Sequence, residues 1–176
     1  MMAVIDTNVL LVANGQHETV STGCHQACIL RLKAMDKSGV AVVDDKYRIL
    51  GEYQNKTRLS PPKGVGDVFL KTLLRNMGNP ARVHLVHLTE FSENEFEEFP
   101  DSALQREFDA SDRKFAAVAN AHPDKPPIWK AVDCKWLDWW QALQAKGVQV
   151  EFLCLSDDCD FYRRKYPDKP LPALPG

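Results

Sequence analysis

Short apolar runs alternate with amphipathic segments along most of the chain, a pattern typical of α/β proteins. Buried strands are predicted at Ala3–Ile5, Val40–Val43, Arg82–Leu88, Ile128–Val132 and Val148–Leu155. Strands of a parallel sheet are covered on both faces, so they are apolar throughout, and helices connect them. The pattern therefore predicts a three-layer α/β/α sandwich around a mainly parallel sheet.

The segments between these strands have helical periodicity and helix-end residues. Asp44 is predicted to cap a helix, although Asp44, Asp45 and the acidic run Glu90–Glu98 are also expected to carry surface charge. That acidic run is compatible with a helix or a loop. The remaining helices are predicted at Val9–Ala13, Thr22–Lys37, Asp67–Asn76, Asp112–Ala121 and Lys135–Lys146.

The predicted domain covers residues 1–155. Residues 156–176 contain four prolines and are predicted to be an extended tail.

Composition and charge restrict the class of protein. The chain has 176 residues and a formal net charge of -2, which gives no support for a protein that coats nucleic acid through bulk charge. It has no apolar run of the roughly 20 residues that a membrane span needs and no signal-peptide pattern, so a cytoplasmic protein is expected. The five cysteines are then expected to be reduced thiols. Cys24 and Cys28 could bind a metal from one helix face, but a second pair at zinc-site spacing is lacking.

Four acidic residues are the candidate functional site. Asp6 and Asp133 each follow an apolar strand, and parallel α/β sheets bind ligands beyond the carboxyl ends of strands, where the strand order reverses. Asp112 begins a helix after a loop, and Glu52 lies within an otherwise apolar helix segment. Taken singly, Asp112 is also compatible with a helix-dipole acid and Glu52 with a solvated residue.

If these carboxylates share one pocket, their repulsion must be offset by positive charge. We find no Lys or Arg that the predicted strands place beside Asp6 or Asp133. Carboxylate oxygens are ligands of Mg²⁺ or Mn²⁺, and one or two such ions can activate water and stabilise the leaving oxygen of a phosphodiester. The expected role of Asp6, Glu52, Asp112 and Asp133 is therefore metal binding.

The same residues lie in four segments that resemble the PIN domain family of metal-dependent nucleases. They occur in the family's order between Ala3 and Leu155. The segments are Val4-Ile5-Asp6-Thr7-Asn8-Val9-Leu10-Leu11, Ile49-Leu50-Gly51-Glu52-Tyr53, Ser111-Asp112-Arg113-Lys114-Phe115-Ala116-Ala117-Val118-Ala119 and Ala131-Val132-Asp133-Cys134-Lys135-Trp136.

The resemblance implies a PIN-like fold and hydrolysis of RNA, less often DNA, with Mg²⁺ or Mn²⁺. It also implies a homodimer, an antitoxin or another regulatory protein as partners. Asp109 is a rival for the third acidic position, although the Ala-rich helix favours Asp112. Some members have a further acid where this chain has Lys135, which leaves open whether one or two ions bind. Arg58–Phe108 is longer than the corresponding region of the smallest members, and the resemblance therefore implies an insertion or a lid that faces a substrate.

Substrate contacts are predicted for residues near the four acids. Asn8 and Thr7 are candidates to orient Asp6, and Thr7 could equally cap a helix. Trp129 and Trp136 could stack on a base or belong to the core. The candidate cations for phosphate contacts are Lys56, Arg58, Lys63, Arg113 and Lys114.

Two other functions are compatible with the sequence. A PIN-like module without turnover would bind nucleic acid or a protein. A phosphoryl-transfer domain of the receiver or phosphatase type would also place an Asp at a strand end. The phosphatase pattern has a second Asp two residues later, where this chain has Asn8, and the receiver pattern has neighbouring acids where only Asp6 is present.

Overall fold

The computed structural model describes residues 1–17, 19–58 and 62–176, and its centre is a five-stranded parallel sheet. The sheet has the order β3-β2-β1-β6-β7, and β4 pairs with β5 in a separate antiparallel hairpin. The strands are β1 (Met2–Ile5), β2 (Val40–Asp44), β3 (Val83–Val86), β4 (Glu90–Ser92), β5 (Glu95–Phe96), β6 (Ile128–Lys130) and β7 (Val150–Phe152).

Helices flank this sheet, consistent with the predicted three-layer sandwich. The first, second and fourth helices pack on one another, and the sixth packs across β1, β2 and β6. Short 3-10 turns at Ala110–Asp112 and Cys134–Asp138 precede the sixth and seventh helices. The helices are α1 (Thr7–Ala13), α2 (Thr22–Ser38), α3 (Arg48–Lys56), α4 (Val65–Arg75), α5 (Ser102–Glu107), α6 (Arg113–Ala121), α7 (Trp140–Ala145) and α8 (Leu155–Lys165).

The central strands are buried because apolar side chains cover both of their faces. Ala3, Val4 and Ile5 of β1 are at most 1% exposed, as expected for a strand between two helical layers. On the helical side, Gly66 of α4 lies against α1, where a Cβ atom would be only 2.2 Å from the Leu10 carbonyl oxygen. A side chain at this position would separate α4 from α1.

The five predicted strands of the sheet are present, but several other expectations were wrong. Residues 155–165 form α8 instead of an extended tail, because the prolines begin only at Pro167. The predicted helix Lys135–Lys146 is split into a 3-10 turn and α7. Glu90–Glu98 contains the β4–β5 hairpin, which was neither of the two expected structures.

The region 58–108 includes parts of the main layers. β3 pairs with β2 at one edge of the sheet, and α4 packs on α1 and α2. The part beyond β3, with the β4–β5 hairpin and α5, lies outside the central sheet. Within the described residues, we find no helix with the length and apolar character needed to cross a bilayer.

Candidate functional site

Asp6 directly follows β1 and is 3% exposed. Its carboxylate caps α1 by accepting a hydrogen bond from the Asn8 backbone N–H at 3.2 Å. The Asn8 side-chain amide donates to the Val132 carbonyl oxygen at 2.8 Å. The Asn8 side chain therefore ties the end of β1 to the segment that carries Asp133, whereas the predicted contact with Asp6 is made only by the Asn8 backbone N–H.

The sheet order reverses between β1 and β6, and Asp6 and Asp133 lie at this point. Parallel pairing sets Ile5 beside Trp129, so Lys130 of β6 is the neighbour of Asp6. The Lys130 Nζ atom is 3.0 Å from Asp6 Oδ2 and 3.8 Å from Asp133 Oδ2. The two aspartates predicted to share a pocket thus contact the same ammonium group.

The expectation that no cation lies beside Asp6 or Asp133 was wrong, because Lys130 contacts both. Its side chain is 1% exposed, and its Nζ lies 4.3 Å from the centre of the Trp136 ring. Among the described residues, the Lys130 ammonium has no acceptor in full hydrogen-bond geometry, so its close contacts with Asp6 and Asp133 are described as ion pairs. No local sequence pattern signals this contact, because it depends on the register of β1 against β6.

Asp112 and Glu52 lie near this pair and have partners of their own. Asp112 Oδ2 accepts a hydrogen bond from the Trp136 indole N–H at 3.2 Å. Glu52 accepts one from the Thr7 hydroxyl at 2.6 Å and forms an ion pair with Lys114. Thr7 therefore orients Glu52 and not Asp6, in contrast to the sequence-based expectation.

The charges in this pocket act on one another. Burial raises the pKa of Asp6 above its ordinary value; Lys130 opposes this effect, and the charges of Asp112 and Glu52 add to it. Burial likewise raises the pKa of Asp133 to about 6, again against Lys130 and with the help of Asp112 and Asp6. The ammonium therefore compensates only part of the penalty for burying these carboxylates.

The donor chemistry of this pocket fits Mg²⁺ or Mn²⁺, since four carboxylates supply the hard oxygen ligands that these ions prefer. Within the described residues, no three of these side chains bring oxygen atoms within 4.8 Å of one another. Lys130 lies between Asp6 and Asp133, and Lys114 holds Glu52. Lys130 and Lys114 thus supply part of the positive charge that was expected to come from metal ions.

The predicted substrate-binding cations fall into two groups. Lys56 at the end of α3 has an exposed side chain, as do Arg58 and Lys63 beyond it. Arg113 instead directs its guanidinium to the carbonyl oxygens of Phe108 and Asn94, at 3.3 and 3.2 Å. The first group is therefore free to meet phosphates, whereas Arg113 has a structural role.

Several other polar and aromatic residues differ from expectation. Trp129 and Trp136 are at most 1% exposed and belong to the core, so neither is available to stack on a base. Asp44 is fully buried, not at the surface, because its carboxylate accepts the backbone N–H groups of Arg48 and Ile49 at the start of α3. Asp44 thus caps α3 through its side chain, as predicted, although Tyr47 occupies the N-cap position.

The cysteines are not all reduced thiols. Cys24 of α2 and Cys154, just before α8, form a disulfide, and the Cys28 Sγ atom lies 3.9 Å from that of Cys154. Cys134 and Cys159 are buried free thiols. Sequence spacing could not reveal this pairing, because Cys24 and Cys154 are separated by 130 residues.

Comparisons with protein-family models, with curated proteins and with solved structures gave no significant match. The resemblance to the PIN domain family therefore depends on the four sequence segments quoted above.

Proposed function

We propose that this protein is a metal-dependent nuclease that hydrolyses phosphodiester bonds. The observation that carries the proposal is the contact of Asp6 and Asp133 with one ammonium group, at the point where the strand order reverses. Ligand sites of parallel α/β sheets lie at this position. RNA as the preferred substrate follows from the resemblance alone.

In this proposal, Asp6, Glu52, Asp112 and Asp133 hold Mg²⁺ or Mn²⁺, directly or through water. When bound, such an ion would supply the Lewis acidity needed to activate water and to offset charge on the leaving oxygen. The residues around the carboxylates hold them in place. The Asn8 amide fixes the segment before Asp133, the Trp136 indole orients Asp112, and the Thr7 hydroxyl orients Glu52.

The exposed cations after α3 are suited to contact a substrate. Lys56 and Arg58 are exposed at and beyond the end of the helix that carries Glu52. Phosphate contacts from such side chains position a nucleic acid without reading its sequence.

The test is cleavage of a labelled single-stranded RNA with Mn²⁺, with Mg²⁺ and with EDTA. We expect metal-dependent cleavage that falls about 100-fold or more in Asp6→Asn and Asp112→Asn, because metal-site residues contribute at least this much. Asp168→Asn removes an exposed carboxylate and is the matched control. Full Mn²⁺-dependent cleavage by both site variants, with folding verified by circular dichroism, would contradict the proposal.

A second function is favoured by Lys130. Because its ammonium already lies between Asp6 and Asp133, the four acids can be retained without any metal ion. The protein would then be a PIN-like module that binds nucleic acid or a partner protein without cleaving it. RNA binding that is insensitive to EDTA, with no cleavage in Mn²⁺ or Mg²⁺, would support this function over the first.

A further inference from the structure

Three cysteines form a sulfur cluster between α2 and the start of α8, and the proposed nuclease function does not use them. Cys24 and Cys28 are one helical turn apart on α2, and Cys154 directly precedes α8. Their Sγ atoms all lie within 4.8 Å of one another, which no other three metal-ligating side chains of the described residues achieve. The three residues are at most 4% exposed. The fold thus gathers three soft ligands in a buried place.

The spacing of these sulfur atoms fits a thiophilic ion. Zinc binds cysteine thiolates at about 2.3 Å, so two sulfur ligands at a tetrahedral angle are roughly 3.8 Å apart. The Sγ atoms of Cys28 and Cys154 are 3.9 Å apart without being bonded. Cys24 is joined to Cys154 by the disulfide, and reduction of that bond gives three free thiols in one place.

The electrostatic surroundings of the cluster favour a cation. Burial raises the pKa of the Cys28 thiol to about 12, and the negative charges of Asp6, Asp157 and Asp158 add to this rise. A bare thiolate is therefore disfavoured here, whereas the same carboxylates would stabilise a cation bound between thiolates. Three thiolates with Zn²⁺ leave one negative charge fewer than with Cu⁺, so a divalent ion is favoured among the thiophilic ions.

We propose that Cys24, Cys28 and Cys154 form a redox-dependent site for a thiophilic divalent ion, and Zn²⁺ is the ion that fits it best. A dithiol reductant transfers two electrons and two protons to the Cys24–Cys154 bond and becomes a disulfide itself, which leaves three thiols in the cluster. One Zn²⁺ then displaces three protons and binds three thiolates. This inference goes beyond the proposed nuclease function and is independent of it.

The ion would hold the same junction that the disulfide holds in the oxidised protein. Cys154 leads into α8, where the Asp158 carboxylate accepts the Asp133 backbone N–H at 2.9 Å. A cross-link from α2 to Cys154 therefore keeps α8 packed beside the segment that carries Asp133. The disulfide and the ion are thus alternative cross-links of one junction, one for the oxidised chain and one for the reduced chain.

The experiment titrates the reduced protein with Cd²⁺, a substitute for Zn²⁺ whose ultraviolet charge-transfer absorption arises from sulfur ligands, so that ions held by carboxylates are not counted. The protein is reduced in urea and refolded with Cd²⁺ in the absence of oxygen. The reductant is a phosphine, because a dithiol would compete for the metal; the phosphine becomes its oxide, and water supplies the oxygen and both protons.

Two variants separate the three-sulfur site from the disulfide alone. Cys28→Ser removes one sulfur and keeps both disulfide partners, and Cys159→Ser, which alters a buried free thiol outside the cluster, is the matched control. We expect one Cd²⁺ per chain, displaced by Zn²⁺, in the reduced wild type and in reduced Cys159→Ser. Binding to reduced Cys28→Ser should be weaker by about 100-fold or more, since it lacks a ligand.

The oxidised wild type should give no such absorption, because Cys24 and Cys154 are then bonded to each other. Less than one bound Cd²⁺ in the reduced wild type would overturn the inference, even if Cys28→Ser does not fold. Equal absorption in the oxidised and reduced wild type, or in the reduced wild type and folded Cys28→Ser, would also overturn it, because the sulfur ligands would then lie elsewhere. Mn²⁺-dependent cleavage is measured separately, so none of these outcomes decides the nuclease proposal.

Discussion

Asp158 is a buried carboxylate near the site, and neighbouring groups compensate its negative charge only in part. It is fully buried in the first turn of α8, where its Oδ1 atom accepts the Asp133 backbone N–H at 2.9 Å. Its Oδ2 atom has no hydrogen-bond partner among the described residues. Burial raises the pKa of Asp158 to about 7, although the hydrogen bond from Asp133 and the charge of Lys130 oppose this rise. Asp158 therefore holds its proton more tightly in the folded protein.

This shift makes stability depend on pH. Because the folded-state pKa lies above the ordinary value of 3.8, the stability that protonated Asp158 contributes is lost as pH rises from about 4 to about 7. Because Asn does not ionise, we expect Asp158→Asn to remove this pH-dependent loss of unfolding free energy, up to about 4 kcal/mol. Asn also keeps an acceptor for the Asp133 N–H. The measurement is urea unfolding from pH 4 to 8 in EDTA. The prediction would be contradicted if the free energy of unfolding had the same pH dependence in the wild type, in Asp158→Asn and in the exposed control Asp168→Asn.

At the scale of elements, apolar pattern was enough to predict the strands of the central sheet and the first two helices. Strand apolarity and helix caps are local properties. β1 and β2 are short apolar runs, and α1 and α2 begin after the capping side chains of Asp6 and Ser21. α8 was missed because its acidic first turn and basic last turn have a mainly polar sequence, and its burial comes from tertiary packing of residues such as Tyr162. Lys130 was missed for a related reason. Its position beside Asp6 depends on strand register, which no local pattern contains.

The disulfide couples two of these elements. It joins α2 to the start of α8, and Asp157 of α8 accepts hydrogen bonds from the Ser21 N–H and hydroxyl groups at the start of α2, both at 2.7 Å. A cross-link across 130 residues restricts the unfolded chain, and its loss is expected to lower the free energy of unfolding by about 2–5 kcal/mol.

We therefore expect Cys24→Ser and a reducing agent to destabilise the protein to a similar extent, without additive effect, in chemical unfolding experiments. Cys159→Ser, which alters a buried free thiol, should leave the response to the reducing agent unchanged. A wild-type protein whose stability does not change on reduction would show that the cross-link contributes nothing.

At the scale of the whole molecule, the sheet order brings together residues that are distant in sequence. β1 and β6 are neighbours although more than a hundred residues lie between them, and the carboxylates come from segments around residues 6, 52, 112 and 133. Such a site exists only in the folded chain, because unfolding separates its members. A ligand of the assembled carboxylates must therefore stabilise the whole fold and not one element.

This linkage gives a prediction for thermal unfolding. At a free Mn²⁺ concentration of about 100 times the dissociation constant, the folded state gains about 3 kcal/mol, which corresponds to a rise of roughly 5–10 °C in Tm for a chain of this size. The rise should be much smaller in Asp6→Asn, since this substitution removes a carboxylate at the centre of the pocket. A salt without divalent ions, matched in ionic strength, separates specific binding from screening. An equal rise in the wild type and in Asp6→Asn would mean that Mn²⁺ binds elsewhere, and the carboxylates at the β1–β6 junction would then be balanced by Lys130 and Lys114 alone.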